Sequence, residues 1–198
     1  MRPDPLILAS RSAARQAMLT GAGLAFEAKD AGVDEDAIKA TLPDHAPADL
    51  ALELAKAKAL AVSQREGTAW VLGSDQILAF DGGLVSKAGT LAEARTRLST
   101  MRGRTHDLHS AVALARGGTV VWSGVDTVRM QMRGFSDAFL DAYLETEGEA
   151  LLASVGAYRL EGMGAQLFEK VEGDYFTVLG MPLWLVLAEL RRVGLIAT

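Results

Sequence analysis

Residues 69–83 read AWVLGSDQILAFDGG, and this stretch decides the fold. The apolar run 69–72 is typical of a buried strand, and residues 76–80 predict a second strand that ends at the DGG turn. Between them, GSDQ at 73–76 is a polar break directly after a buried strand. Ligands of open α/β sheets bind at the carboxyl ends of strands, so Asp75 is a candidate functional carboxylate. The alternative is a turn aspartate that bonds its own backbone.

The segments on either side of this stretch alternate between strand and helix patterns. The predicted strands cover residues 6–9, 108–115 and 119–132, and the predicted helices begin after the caps Ser10, Thr90 and Ser136, at about Pro47, and at Pro182. The most polar stretch, 30–49, is expected to be a surface excursion. Helices interleaved with strands, together with a long antiparallel pair, indicate an α/β domain with a mixed sheet.

Composition excludes several classes of protein. The 198 residues are 49% hydrophobic and 23% charged, with 20 Lys+Arg against 25 Asp+Glu and no cysteine. Disordered and fibrous classes, disulfides, thiolate nucleophiles and Cys-ligated metals are therefore excluded. A net charge of −5 argues against a protein that coats nucleic acid. Without an apolar run of about 18 residues, and with a polar opening at 2–5, we expect no membrane span, no signal peptide and a cytoplasmic location.

Lys58 is the charged residue whose position is least expected. On a helical wheel of the helix that begins at about Pro47, Lys58 falls within the apolar arc that contains Leu54, Ala55 and Val62. A buried ammonium is unfavourable unless it is paired, so an anionic partner is expected. The alternative is a lysine that snorkels from the edge of the core. The desolvation argument also predicts that Lys58→Met leaves the melting temperature equal or higher.

Several cations lie where predicted elements meet. Arg15 follows the first strand, Lys87 follows the hairpin, and Arg104 and His106 follow a helix. Each is by default a solvated surface charge, but together they would form an anion site that needs no net positive charge. His106 and His109, three apart on a strand, should point to opposite faces, which argues against a shared metal.

Short motifs along nearly the whole chain resemble those of one family. In order they are LASRSAAR at 8–15, VDE at 33–35, LAKAKA at 54–59, GSDQ at 73–76, SK at 86–87, GRTH at 103–106, GAYRLEG at 156–162 and LGMPL at 179–183. Each motif is short, but their ordered combination resembles the Maf nucleoside triphosphate pyrophosphatases. The chain departs from the family pattern in places, for example at Ala13 and Ala14, where the family has Pro followed by Arg or Trp, and at Ala88, where it has Pro.

The resemblance implies one domain over residues 1–198, with an elongated mixed β-sheet flanked by helices, as in inosine triphosphatase-like folds, and commonly a homodimer. It also implies hydrolysis of a nucleoside triphosphate to the monophosphate and pyrophosphate, with a divalent cation (Mg²⁺, Mn²⁺ or Co²⁺).

The resemblance further implies roles for individual residues. Asp75 falls on the family's catalytic carboxylate, which accepts the proton of the attacking water. Arg15, Lys58 and Lys87 fall on its phosphate-contacting cations. Glu35 falls on an acidic site residue, which we expect to hold the metal together with Asp75, since carboxylates and phosphate oxygens suit Mg²⁺.

The same comparison implies which residues contact the substrate. These are Ser10, Ser12, Ala14, Gln76, Arg104 and Glu161. Members that act on dTTP and UTP carry Arg, Thr and Gln in place of Ala14, Gln76 and Glu161, whereas 7-methyl-GTP members carry Trp, Gln and Glu. A carboxylate at Glu161 suits a base that donates N–H groups, such as guanine. The prediction is therefore 7-methyl-GTP or a related modified purine; the alternatives are a dTTP/UTP-type enzyme and a nucleotide-binding septation regulator with weak or no catalysis.

Overall fold

The computed structural model describes residues 5–43 and 45–198. Residues 2–4, on which the expectation about a signal peptide partly rests, lie outside the described residues. The strands are β1 (Leu6–Leu8), β2 (Glu27–Ala28), β3 (Trp70–Phe80), β4 (Gly83–Val85), β5 (Thr105–Arg116), β6 (Thr119–Met132) and β7 (Phe168–Glu172). The helices are α1 (Ala13–Gly21), α2 (Glu35–Ala40), α3 (Pro47–Ser63), α4 (Leu91–Met101), α5 (Asp137–Glu147), α6 (Tyr175–Val178) and α7 (Leu183–Arg192).

The seven strands of the described residues belong to one mixed sheet, ordered β2-β1-β3-β5-β6-β7, with β4 paired to β3. β1 runs parallel to β2 and β3, whereas β5, β6 and β7 pair antiparallel along the sheet. Helices pack on the sheet, and the α/β prediction with a mixed sheet flanked by helices is confirmed.

The central strand β3 corrects the predicted polar break. Residues 73–76 do not interrupt it, because β5 pairs with β3 without a gap, from Trp70 opposite Arg116 to Ala79 opposite Asp107. Asp75 therefore lies in the middle of a strand and not at its end. Cross-strand hydrogen bonds satisfy the backbone of the polar residues, so side-chain polarity alone does not end the strand.

The other edge of β3 is paired only at its two ends. β1 pairs with residues 70–72, and β4 pairs with residues 78–80 after the tight turn at Asp81 and Gly82, both of which have positive φ. Among the residues that the structure describes, no strand lies beside 73–77 on this edge. We call this opening between β1 and β4 the β3 gap, and Asp75 lies in its middle.

Helix α3 covers one face of the sheet at close range. A side chain at Gly73 would place its Cβ 2.3 Å from the carbonyl oxygen of Ala55, so only glycine allows this approach. Ala51, Ala55 and Ala59 of α3 are completely buried. The small residues on both elements therefore fix how deeply α3 sits and where its side chains project.

Helix ends follow the predicted caps with one correction. Ser136 accepts from the backbone N–H of Phe139 as expected, but Ser12 and not Ser10 is the cap of α1. Ser10 Oγ instead accepts from the Ser12 N–H at 3.2 Å, so the chain needs two further residues before it turns into the helix. In the described ranges, 5–43 and 45–198, we find no helix that combines the length and hydropathy needed to cross a membrane.

Candidate active site

Three charged side chains, from α2, α3 and β3, meet at the position of Asp75 in the β3 gap. Lys58 Nζ lies 2.5 Å from Asp75 Oδ1 and 2.7 Å from Glu35 Oε1. Lys58 and Asp75 are only 9% and 5% exposed, whereas Glu35 is half-buried. The prediction that Lys58 faces inward to an anionic partner is confirmed, and it has two partners rather than one. We call these three residues the acid–lysine cluster.

Neighbouring cations favour the charged form of Glu35. Burial raises the pKa of Glu35, but its hydrogen bond to Lys58 and the attraction of Lys58, Lys39 and Lys87 outweigh burial, so this pKa is lowered. Lys87 is exposed and follows β4, close enough to act on Glu35. The lysine after the hairpin therefore contributes positive charge to the same site, as the sequence predicted.

Arg15 approaches the β3 gap from α1. Its Nε donates to the carbonyl oxygen of Gly180 at 2.9 Å, and its Nη1 donates to Ser10 Oγ at 3.4 Å. Burial lowers the pKa of Arg15 against the attraction of Asp75 and Glu35, but a guanidinium stays protonated in proteins. Within the ranges 5–43 and 45–198, Arg15 makes no salt bridge. It is thus a fixed cation that is ready to receive an anion.

Gln76 lies on the face of β3 opposite to Asp75, because successive strand residues alternate. Its Nε2 donates to Ser110 Oγ at 2.9 Å and to the carbonyl oxygens of Thr177 and Val178 at 3.0 and 3.1 Å. With Nε2 surrounded by acceptors, Oε1 is the amide atom that remains to accept from a substrate.

The two carboxylates of the acid–lysine cluster fit a hard divalent cation. Lys58 occupies one oxygen of Glu35 and one of Asp75, which leaves Oε2 and Oδ2. Mg²⁺ binds through one or two carboxylates, with waters and substrate phosphates completing its octahedron. The described part of the chain holds no group of three or more His, Asp or Glu side chains that could hold a metal. Any cation would thus depend on substrate oxygens for the rest of its shell.

Other predicted substrate residues lie apart from the acid–lysine cluster or serve the fold. Arg104 lies over the Phe80 ring, 4.4 Å from its centroid, and pairs with Asp81 at 3.0 Å. Glu161 is exposed and pairs with Arg159 at 3.2 Å. The contacts therefore join neither residue directly to the β3 gap, and their roles stay predictions.

Two further predicted substrate residues lie at the start of α1. Ala14 lies in the first turn of α1, next to Arg15. Ser12 Oγ accepts from the Arg15 backbone N–H, so its hydroxyl serves the helix. A role for either residue in binding substrate also stays a prediction.

The two histidines project to opposite faces of β5, as predicted. His106 is buried, and its Nε2 lies 2.6 Å from Tyr158 Oη, whereas His109 contacts Thr127 on the other face at 2.9 Å. These rings share no ligand position.

Comparisons with known proteins show the family. The family model described as Maf-like protein matches residues 5–193. The chain belongs to the Maf family. It is 54% identical, over 98% of each chain, to a nucleoside triphosphate pyrophosphatase of Caulobacter vibrioides. It is 48% identical to a 7-methyl-GTP pyrophosphatase of Rhizobium meliloti, over 96% of this chain and 97% of that protein.

A second relative with the same name, from Mesorhizobium japonicum, is 49% identical over 98% of each chain. Among solved structures, the chain is similar to a HAM1 protein from Coxiella burnetii, at 18% identity and a TM-score of 0.42, over 65% of this chain and 73% of that chain.

Residue-level reasoning missed the groups that hold Arg15 and Gln76 in place. The Gly180 carbonyl accepts from Arg15 and also from Ser74 Oγ at 3.1 Å, and Ser110 supports Thr177. Every residue has a backbone carbonyl, so the residue types in a sequence do not show which carbonyl will orient a side chain. The signal that could have pointed to Gly180 is the Maf-like motif LGMPL at 179–183. The sequence analysis noted this motif but assigned no role to its residues.

Proposed function

We propose that this Maf protein hydrolyses a nucleoside triphosphate between its α- and β-phosphates, and that the substrate is 7-methyl-GTP or a related modified purine. The observation that supports the reaction is the acid–lysine cluster at the β3 gap, with Arg15 and Lys87 nearby. The names of relatives at 54% and 48% identity support the same reaction class.

Asp75 would act as the base. Its Oδ1 is bonded to Lys58, so Oδ2 can accept a proton from a water that attacks the α-phosphorus. A new P–O bond then forms to the water oxygen, and the bond from the α-phosphorus to the bridging oxygen breaks. Pyrophosphate leaves with the electron pair of that bond, and the nucleoside monophosphate remains.

The cations would stabilise the phosphate charge. Arg15 is already oriented by Gly180, and Lys87 is exposed and free to move onto a polyphosphate. Stabilisation of charge by pre-oriented groups is the main source of catalysis in phosphoryl chemistry. Glu35 and Asp75 would hold a divalent cation, which when bound neutralises phosphate oxygens and helps to align them.

Glu161 supports the choice of a purine that donates N–H groups. Its carboxylate is exposed and its Oε1 accepts from Arg159, so Oε2 is the acceptor oxygen that can face a base. Glu161→Gln replaces one acceptor with a donor and removes a charge-assisted hydrogen bond, which should reduce discrimination by about 10- to 150-fold.

The test is a pyrophosphate-release assay with 7-methyl-GTP, GTP, dTTP and UTP, each with Mg²⁺, Mn²⁺ or Co²⁺. We expect metal-dependent pyrophosphate release and the highest kcat/KM for 7-methyl-GTP. In Glu161→Gln, we expect kcat/KM to fall more for the purine nucleotides than for dTTP and UTP. Preference for dTTP or UTP would favour the other enzyme class, and binding without release would favour a regulator. Equal losses on all four nucleotides in Glu161→Gln would remove this residue from base recognition.

A further inference from the structure

The segment from Thr177 to Gly180 touches both Arg15 and the central strand, and it contains the start of the LGMPL motif. Thr177 is completely buried, so its backbone carbonyl needs hydrogen-bond donors from within the protein. That carbonyl accepts from Gln76 Nε2 and also from Ser110 Oγ, at 3.0 and 2.7 Å. Thr177 Oγ1 donates to Asp126 Oδ2 at 2.8 Å. Side chains from three strands therefore fix this segment on the sheet.

The same segment ends in the group that orients Arg15. The Gly180 carbonyl oxygen accepts from Arg15 Nε and from Ser74 Oγ. Gly180 has a φ of +106°, and a Cβ there would lie 3.5 Å from Arg15 Nη2 and 3.8 Å from Gln76 Oε1. A carbonyl bonded to Nε holds the guanidinium plane in one orientation, because the five N–H donors of arginine form a rigid fork.

The orientation of the Gln76 amide is fixed by its neighbours. If the amide were flipped, its oxygen would face the carbonyl oxygens of Thr177 and Val178, which offer no proton. In the observed orientation the two N–H donors of Nε2 face three acceptors, these two carbonyl oxygens and Ser110 Oγ. The donor half of Gln76 is thus committed to the protein and not to a ligand.

We propose that Gln76 and Ser110 are positioning residues for the polyphosphate: they fix the Thr177–Gly180 segment on the sheet, so that the Gly180 carbonyl holds Arg15 toward the β3 gap. This deepens the proposed function and rests on it, since Arg15 there binds phosphate. It assigns Gln76 a role toward every substrate, whereas a residue that only reads the base would affect particular nucleotides.

The test uses inorganic tripolyphosphate, which has the phosphate charge but no base. Gln76→Met keeps the length of the side chain and removes its donors. We expect its calorimetric Kd for tripolyphosphate to rise about tenfold, since small displacements of a positioned group produce losses of this size or larger. Ser110→Ala should raise the Kd about threefold, because two carbonyls still accept from Gln76.

A matched control is Ser63→Ala, which removes an equally buried hydroxyl that accepts from the Gly118 N–H far along the sheet. We expect its Kd for tripolyphosphate to be unchanged. In an Arg15→Ala background, Gln76→Met and Ser110→Ala should add nothing. If either adds its full effect there, or if Gln76→Met changes nucleotide preference with an unchanged tripolyphosphate Kd, the proposal is overturned.

A second measurement needs neither ligand nor catalysis. The ¹⁵N Nε–H signal of Arg15, assigned by its loss in Arg15→Ala, should exchange slowly with solvent in the wild-type protein and faster in Gln76→Met. An unchanged exchange rate overturns the proposal. A protein that releases no pyrophosphate can still be examined in this way. Failure of the proposed function can therefore be distinguished from failure of the positioning role of Gln76 and Ser110. If Gln76→Met does not fold, Ser110→Ala decides by the same exchange measurement.

Discussion

Two buried polar clusters lie on opposite faces of the sheet, and they differ in charge. In the acid–lysine cluster, opposite charges lie 2.5 to 2.7 Å apart and compensate one another. On the other face, His106 and Tyr158 share one hydrogen bond, and neither makes a salt bridge with another described residue. Burial lowers the pKa of His106 to about 4, although Asp107 attracts a proton to it, and burial raises the pKa of Tyr158.

The comparison shows that burial alone does not mark a reactive group. His106 and Tyr158 are both neutral near pH 7, so their hydrogen bond serves to join β5 to the loop that contains Tyr158. His106 Nδ1 has no hydrogen-bond partner among the described residues. The acid–lysine cluster instead places side chains of opposite charge in contact, and Asp75 lies in the β3 gap. Paired charges at the β3 gap make that cluster, and not the His106–Tyr158 pair, the candidate for chemistry.

The largest effect is expected from Asp75→Asn. The amide keeps the shape of the side chain but cannot accept the proton of the attacking water, so kcat should fall about 10²- to 10⁴-fold. Pyrophosphate release from the preferred nucleotide measures this, with circular dichroism to confirm folding. Near-wild-type turnover by the folded variant would remove Asp75 from the role of base.

The next largest effect is expected from Lys58→Met. From the structure we expect this change to lower stability, whereas the sequence alone predicted an equal or higher melting temperature. Removal of Lys58 leaves the buried Asp75 carboxylate without its cation at 2.5 Å, so we expect a loss of about 3–5 kcal/mol in the free energy of unfolding, together with lost activity. Urea unfolding at pH 7 measures it.

The control for Lys58→Met is Arg95→Met, which breaks a 2.8 Å ion pair with Asp141 on the surface and should leave stability unchanged. A melting temperature of Lys58→Met equal to or above that of the wild type would restore the expectation drawn from the sequence. The same result would show that Asp75 is compensated elsewhere.

A third effect separates the clusters by pH. His106 has a pKa of about 4 when folded and 6.5 as the ordinary value, so between these values the unfolded chain binds more protons. The contribution of neutral, buried His106 to the free energy of unfolding is therefore fully present above pH 6.5. It is lost as the pH falls toward 4, by about 3 kcal/mol in all. His106→Asn should flatten the pH dependence of unfolding in this window, whereas the exposed His45→Asn should not. Parallel profiles for the wild type and His106→Asn would contradict this account.

The smallest effect is expected from Tyr158→Phe, which removes only the hydroxyl bonded to His106. Losing a buried hydrogen bond should reduce the free energy of unfolding by about 1–3 kcal/mol, with kcat unchanged. Thermal unfolding and steady-state kinetics measure the two quantities, and Tyr175→Phe serves as the exposed control. A loss of kcat without a loss of stability would give the His106–Tyr158 pair a catalytic part and remove the contrast between the two clusters.

Local patterns in the sequence predicted much of the fold. The apolar periodicity of 47–63 predicted both the helix and the inward position of Lys58, and residues 81–83 predicted the hairpin. The same patterns gave a false break at 73–76, because polarity is local whereas the pairing with β5 is not. They also described 30–49 as a surface excursion and did not foresee α2, whose first residue is Glu35.

The sequence by itself determined the kinds of chemistry available: the carboxylates, the inward lysine, the cations at element boundaries and the ordered Maf motifs. Only the tertiary structure decided that Lys58 joins Asp75 and Glu35, that Asp75 and Gln76 face opposite sides, and that Gly180 orients Arg15. Periodicity arises from contacts within one element, so it can be read along the chain. The contact between Arg15 and Gly180 spans 165 residues, and it forms only because sheet pairing and helix packing bring two distant segments together.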